Sequence, residues 1–99
     1  RGVIRRIEVI PAAGGAPLAT IPQRGGDYRW LPDGAALTFI RNERGVSNIW
    51  RQPLDGSEPT QITHFRSGLI HSYDWTPTGT LVLARGERRS DAVLIRDFR

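Results

Sequence analysis

One phrase occurs twice in this chain, Trp30-Leu31-Pro32-Asp33-Gly34 and Trp75-Thr76-Pro77-Thr78-Gly79, and each copy leads into a short apolar run. The tryptophans stand 45 residues apart. Recurrence at a fixed spacing of this size constrains the fold strongly, because each copy is then a unit that buries its apolar faces against its neighbours. Other turns recur in step. Leu54-Asp55-Gly56-Ser57-Glu58-Pro59 matches Ala12-Ala13-Gly14-Gly15-Ala16-Pro17 at a shift of 42 residues. Arg41-Asn42-Glu43-Arg44-Gly45 matches Arg85-Gly86-Glu87-Arg88-Arg89 at a shift of 44, and Ser47-Asn48 corresponds to Ser90-Asp91.

No stretch keeps a helical apolar period for three turns, and the 11 glycines and 7 prolines interrupt the chain every few residues. Short β-branched and aromatic runs, separated by turn residues about every 8–12 positions, indicate an all-β fold. The strands expected are Val3–Ile10, Leu18–Ile21, Asp27–Leu31, Leu37–Arg41, Asn48–Leu54, Gln61–Phe65, Ser72–Trp75, Leu81–Arg85 and Ala92–Ile95. About 40–45 residues is the length of one four-stranded propeller blade. The expected architecture is therefore a β-propeller fragment of about two four-stranded antiparallel blades. Residues 1–22 supply the last two strands of one blade, 23–66 a complete blade, and 67–99 the first three strands of a terminal blade. A ring needs roughly 4–8 blades, so the chain reads as the C-terminal piece of a longer protein, and the remaining blades are its first partners.

Turn chemistry explains the repeated phrase. Pro32 presets φ for a type I corner, Asp33 accepts from nearby backbone, and Gly34 takes the positive φ that follows. Pro77 and Gly79 play the same parts, as do Asp55 and Gly56 in the next turn. Trp30 and Trp75 are expected to pack between blades, burying on the order of 150–250 Å² each. Trp50 is expected to be another packing residue.

These residues resemble the WD40-like (PD40-type) repeats of TolB-like β-propellers. The resemblance is carried by Trp30, Pro32, Asp33 and Gly34, then Asn48-Ile49-Trp50, Leu54-Asp55-Gly56 and Gln61-Ile62-Thr63, in the family's order. It departs at Thr78, where the family's turn has Asp, and at Ala12-Ala13, where the Asp-Gly turn has lost its acid. The ending Ser90-Asp91-Ala92-Val93-Leu94-Ile95-Arg96-Asp97-Phe98-Arg99 is similar to the C-termini of bacterial proteins in which a propeller follows a serine/threonine kinase or winged-helix domain. The resemblance implies a sensor or docking part, with a kinase as the expected parent. A periplasmic TolB-like envelope protein and a propeller gating an attached peptidase carry similar repeats.

The residues themselves offer no bond-making chemistry. There is no cysteine and no Gly-x-Ser-x-Gly elbow. His64 and His71 lack partners at metal-ligand spacing, and Gly14-Gly15 and Gly25-Gly26 precede no helix that would complete a phosphate cradle. No catalytic, cofactor or metal residue is assigned, and no apolar run approaches the ~20 residues of a membrane span. The compartment stays open. All 14 basic residues are arginine, and the net charge is +4. In an up-and-down blade the loops alternate between two faces. One receives Asp33, Asp55 and Glu58. The other receives Arg24, Arg41, Arg44, Arg66, Arg85, Arg88 and Arg89, diluted by Asp27, Glu43, Glu87 and Asp91. The expected function is a non-enzymatic interaction scaffold whose basic face, Arg41, Arg44, Arg66, Arg85, Arg88 and Arg89, meets an acidic protein or peptide partner. Nucleic acid is not favoured, because no aromatics are interleaved with these arginines as a stacking platform.

Overall fold

Pro32 and Asp33 turn the chain as their chemistry dictates. Gly34 N donates to Leu31 O (2.9 Å), Gly34 sits at φ +73°, and Asp33 Oδ1 accepts from Ala35 N (2.9 Å). In the second copy Gly79 N donates to Thr76 O (3.0 Å) with φ +95°. The acid absent at Thr78 is replaced from another position: Thr76 Oγ1 accepts from Thr80 N (3.0 Å). Asp55 caps the third turn, accepting from both Ser57 N (2.9 Å) and Ser57 Oγ (2.6 Å).

The computed structural model describes residues 5–86 and 95–98. These turns connect nine antiparallel strands: β1 (Arg6–Val9), β2 (Ala19–Pro22), β3 (Gly26–Trp30), β4 (Ala36–Glu43), β5 (Val46–Pro53), β6 (Thr60–Gln61), β7 (Leu69–Trp75), β8 (Leu81–Gly86) and β9 (Ile95–Phe98). They form three sheets in simple chain order, β1-β2, β3-β4-β5-β6 and β7-β8-β9. The chain is all-β, with one complete four-stranded antiparallel sheet between a two-stranded and a three-stranded one. No helix long and apolar enough to cross a membrane occurs among the described residues.

Cross-strand pairing assigns the faces of the middle sheet. Ile40 pairs with Ile49, and both belong to the core formed with Ile70, Tyr73, Leu81 and Leu83 of the third sheet. Leu37 and Phe39, one residue out of phase, point to the other side. There Tyr28 stacks on Phe39 at 5.0 Å, and Gly25 lies so close that a Cβ would come within 2.5 Å of the Phe39 ring. The middle sheet is thus apolar on both faces, as a sheet packed between two others must be.

A polar joint locks the second and third sheets. A bulge between Gly26 and Arg29, with Asp27 at φ +55°, frees carbonyls of β3 from the ladder. Tyr73 Oη donates to Asp27 O (2.8 Å), and Thr38 Oγ1 donates to Arg29 O (3.0 Å) while accepting from Trp75 Nε1 (3.1 Å). The two hydroxyl oxygens lie 3.0 Å apart. These part-buried carbonyls would otherwise lose a hydrogen bond of about 1 kcal/mol each.

Three expectations are corrected. Trp75 packs between sheets, but Trp30 is 47% exposed. Trp30 pairs with Leu37 and so faces the first sheet, which has only two strands to offer. The strand expected over Gln61–Phe65 ends at Gln61: Ile62 N and Thr63 N both converge on Ile49 O (2.8 and 3.3 Å), and beyond that side chains take over the pairing. Ile49 N donates to Thr63 Oγ1 (2.9 Å), and Asn48 Oδ1 accepts from Thr63 Oγ1 and Phe65 N (2.7 Å each). The last strand is Ile95–Phe98, where Ala92–Ile95 was expected; residues 92–94 lie outside the described residues. Trp50 is half-buried.

Candidate functional site

Antiparallel order fixes which loops share an end. The β3–β4, β5–β6 and β7–β8 turns lie at one end of the sheets, and the β4–β5 turn and β6–β7 connection lie at the other. Asp33, Asp55 and Glu58 stand at the first end, where the two aspartates serve as turn caps. The Ser57 hydroxyl and backbone N–H donated to Asp55 hold its carboxyl below the usual carboxylate range. Arg44 and Arg66 stand at the second end.

The arginines divide into those the fold uses and those it leaves available. Arg24 does not join the basic end: its guanidinium runs back to Gln52 Oε1 (2.8 Å) and Ser57 O (3.4 Å). That contact completes the buried Gln52, whose Nε2 donates to Pro53 O and Ser57 O (2.9 Å each). Arg41 stacks over Trp50 at 4.7 Å and pairs with Glu43 at 3.3 Å. Arg85 lies over the Phe65 ring at 3.7 Å and donates to Ser67 O, so it props the β6–β7 connection from beneath. Arg88 and Arg89 lie outside the described residues.

Arg44 and Arg66 are exposed, and neither guanidinium has an ion pair or hydrogen bond among the described residues. Arg44 and Gly45 form the two-residue β4–β5 turn with φ +55° and +78°, the positive pair that a tight hairpin requires. The β6–β7 connection is clamped to β5 by Asn48, whose Nδ2 donates to Phe65 O (3.2 Å), and by Ser47 N donating to Gly68 O (3.0 Å). Between turn and connection runs an open groove. One lobe, of about 830 Å³, is lined by Glu43, Arg44, Val46, Asn48, Gln61, Phe65 and Arg66; a second, of about 420 Å³, by Arg44, Val46, Arg66, Ser67, Gly68 and Leu69.

Other surfaces carry less chemistry. A cleft of about 240 Å³ lies between Ile62–Phe65 and Trp75, and a shallow hollow of about 350 Å³ lies between the two repeated turns. His71 packs its ring against Gly86, where a Cβ would come within 2.5 Å of Nε2. No group of three His, Cys, Asp or Glu side chains able to hold a metal ion is found among the described residues.

Sequence reasoning missed the tyrosine of the repeat. Tyr28 and Tyr73 each stand two residues before the tryptophan, so the recurring unit is Tyr-x-Trp-x-Pro-x-Gly. It also missed Asn48 and Thr63 as the clamp of the connection; no spacing rule announces a side chain that substitutes for a strand.

No family model matches the chain. The chain is similar to the uncharacterized protein YidR of Escherichia coli (strain K12), with 28% identity over 81 residues. That match covers 80% of this chain and 19% of YidR, so the chain spans about a fifth of that protein's length.

Proposed function

We propose that this chain is part of a β-propeller that acts as a non-enzymatic interaction scaffold, recognising an acidic protein partner through its arginine-bearing loop end. The observation that carries this reading is the separation of charge by strand order: capped aspartates at one end, and Arg44 and Arg66 without an ion pair among the described residues at the other. Arginine suits this work, because its planar fork pairs with carboxylates and its charge persists at any physiological pH. A basic rim also raises the encounter rate with an acidic partner in a salt-dependent way.

The propeller reading is supported by sheets that follow one another in chain order and by a Trp30 face that the missing strands of the two-stranded first sheet would cover. Tyr73 and Trp75 of β7 dock on the sheet before them, and Tyr28 and Trp30 of β3 stand at the corresponding positions of the preceding repeat. The serine/threonine kinase parent rests on the resemblance of residues 90–99 alone, and the kinase would lie in a different part of the protein.

The test measures binding of the full-length protein to immobilised poly-glutamate and poly-lysine as salt is varied. Reversal of Arg44, Arg66, Arg88 and Arg89 to Glu spares the structural Arg41 and Arg85. Preferential, salt-sensitive binding to poly-glutamate that the reversal removes is the expected result. Unchanged binding and unchanged salt dependence after reversal would overturn the proposal.

A further inference from the structure

We propose that the groove between the β4–β5 turn and the β6–β7 connection seats an extended acidic segment of a partner protein, with one carboxylate held between Arg44 and Arg66. This rests on the reading of the basic end as the binding surface and gives that surface an address and a ligand class.

The groove's form argues for a chain segment over a lone ion. Its two lobes, about 830 and 420 Å³, share Arg44, Val46 and Arg66 along their common border. The larger lies within the roughly 300–1,000 Å³ range of ligand pockets. A carboxylate at the border would receive a guanidinium from each side, a charge-assisted arrangement stronger than a neutral hydrogen bond. Chain continuing either way would lie over mixed surface, Asn48 and Phe65 in one lobe and Leu69 in the other. Charge complementarity selects acidic residues: the chain carries +4 overall, and Glu43, the one acid lining the larger lobe, is paired with Arg41 at 3.3 Å, which leaves Arg44 and Arg66 to face the ligand.

The walls are fixed before any partner arrives. Asn48 holds Phe65 by its backbone N and O, Ser47 N holds Gly68 O, and Arg85 fills the space beneath. Binding to a preformed groove spares the ordering cost that a mobile loop would add. Arg44 itself occupies φ +55°, a conformation in which Asn, Asp or Gly is the easier residue. The turn thus keeps a long cation at some cost to the hairpin.

The test is fluorescence anisotropy of a fluorescein-labelled peptide of alternating Glu and Ser, titrated with the full-length protein. Arg44→Asn and Arg66→Gln are each expected to weaken binding roughly tenfold, the loss of one charge-assisted contact. The Arg44→Asn protein should melt no lower than wild type, since Asn suits the turn. Inorganic phosphate should displace the peptide far less effectively than unlabelled peptide does. Three results would overturn the proposal: no binding of the peptide by the wild type, unchanged affinity in both single variants, or displacement by phosphate as effective as by peptide. If the fourfold reversal removes poly-glutamate binding while both single variants keep peptide affinity, the groove fails and the basic end stands. If the reversal also changes nothing, the basic end fails with it.

Discussion

Tyr73 shows how one residue joins two sheets. Its ring belongs to the shared core, and its hydroxyl plugs the carbonyl that the β3 bulge leaves unpaired. Tyr73→Phe keeps the ring and orphans Asp27 O, so it should cost about 1–2 kcal/mol, read as a lowered urea midpoint. Burial pushes the phenol from its ordinary 10.0 up to about 12. The folded state therefore holds this proton more tightly than the unfolded chain does. The stability it contributes is complete below pH 10 and is lost as the pH rises through about 12. Thermal midpoints should fall across that alkaline window in the wild type and fall less in Tyr73→Phe. An equal fall in both would detach the effect from Tyr73. Thr38 belongs to the same joint, yet its counterpart in β8, by the pairing of Leu37 with Trp30 and Leu81 with Trp75, is Val82. The joint's hydroxyl is thus not part of the repeat, and no motif search would find it.

At the scale of elements, β6 and the connection after it carry the most specific expectation. Asn48 is buried and makes three contacts to Thr63 and Phe65. Asn48→Ala leaves those groups unsatisfied and should cost roughly 2–3 kcal/mol. It should also speed amide exchange at Phe65 while leaving the β4–β5 ladder protected. Protection unchanged at Phe65 would mean that the clamp is not what holds the connection. Most of the strand pattern was legible, because β4, β5, β7 and β8 alternate apolar residues between turns whose Gly and Pro admit few conformations. Gln61–Phe65 was misread for a physical reason: Ile62, Thr63 and Phe65 have strand composition, but Ile62 N and Thr63 N converge on one carbonyl, Ile49 O, after which the Thr63 hydroxyl and the Asn48 amide take the place of a ladder. The basic end was legible only as a list of arginines. Strand order places Arg44 and Arg66 there, but the withdrawal of Arg24 to Gln52, and of Arg41 and Arg85 onto aromatic rings, depends on packing that spacing does not encode.

At the scale of the whole molecule, the three sheets spread over 45 × 41 × 21 Å with a radius of gyration of 14.6 Å. A compact domain of this length would have about 13 Å. The flat shape leaves large apolar side chains outside: Trp30, Ile10 and Leu18 are 47%, 52% and 73% exposed. The outer edges of β1 and β9 have no paired strand among the described residues. Open edges and uncovered repeat faces favour association. The isolated chain should therefore aggregate or melt broadly and in a concentration-dependent way; a sharp, reversible, concentration-independent transition would contradict this. The central claim is that these sheets are consecutive blades of a larger ring whose inter-blade joints reuse the Tyr-x-Trp unit. The most direct test is an experimental structure of the full-length protein. The expected result is that additional strands complete the β1-β2 sheet and cover Trp30 as β3–β6 covers Trp75, with the Arg44–Arg66 groove open at the ring's surface. A structure in which the β1-β2 sheet gains no strands and Trp30 stays in solvent, with no sheets arranged around a common axis, would contradict it.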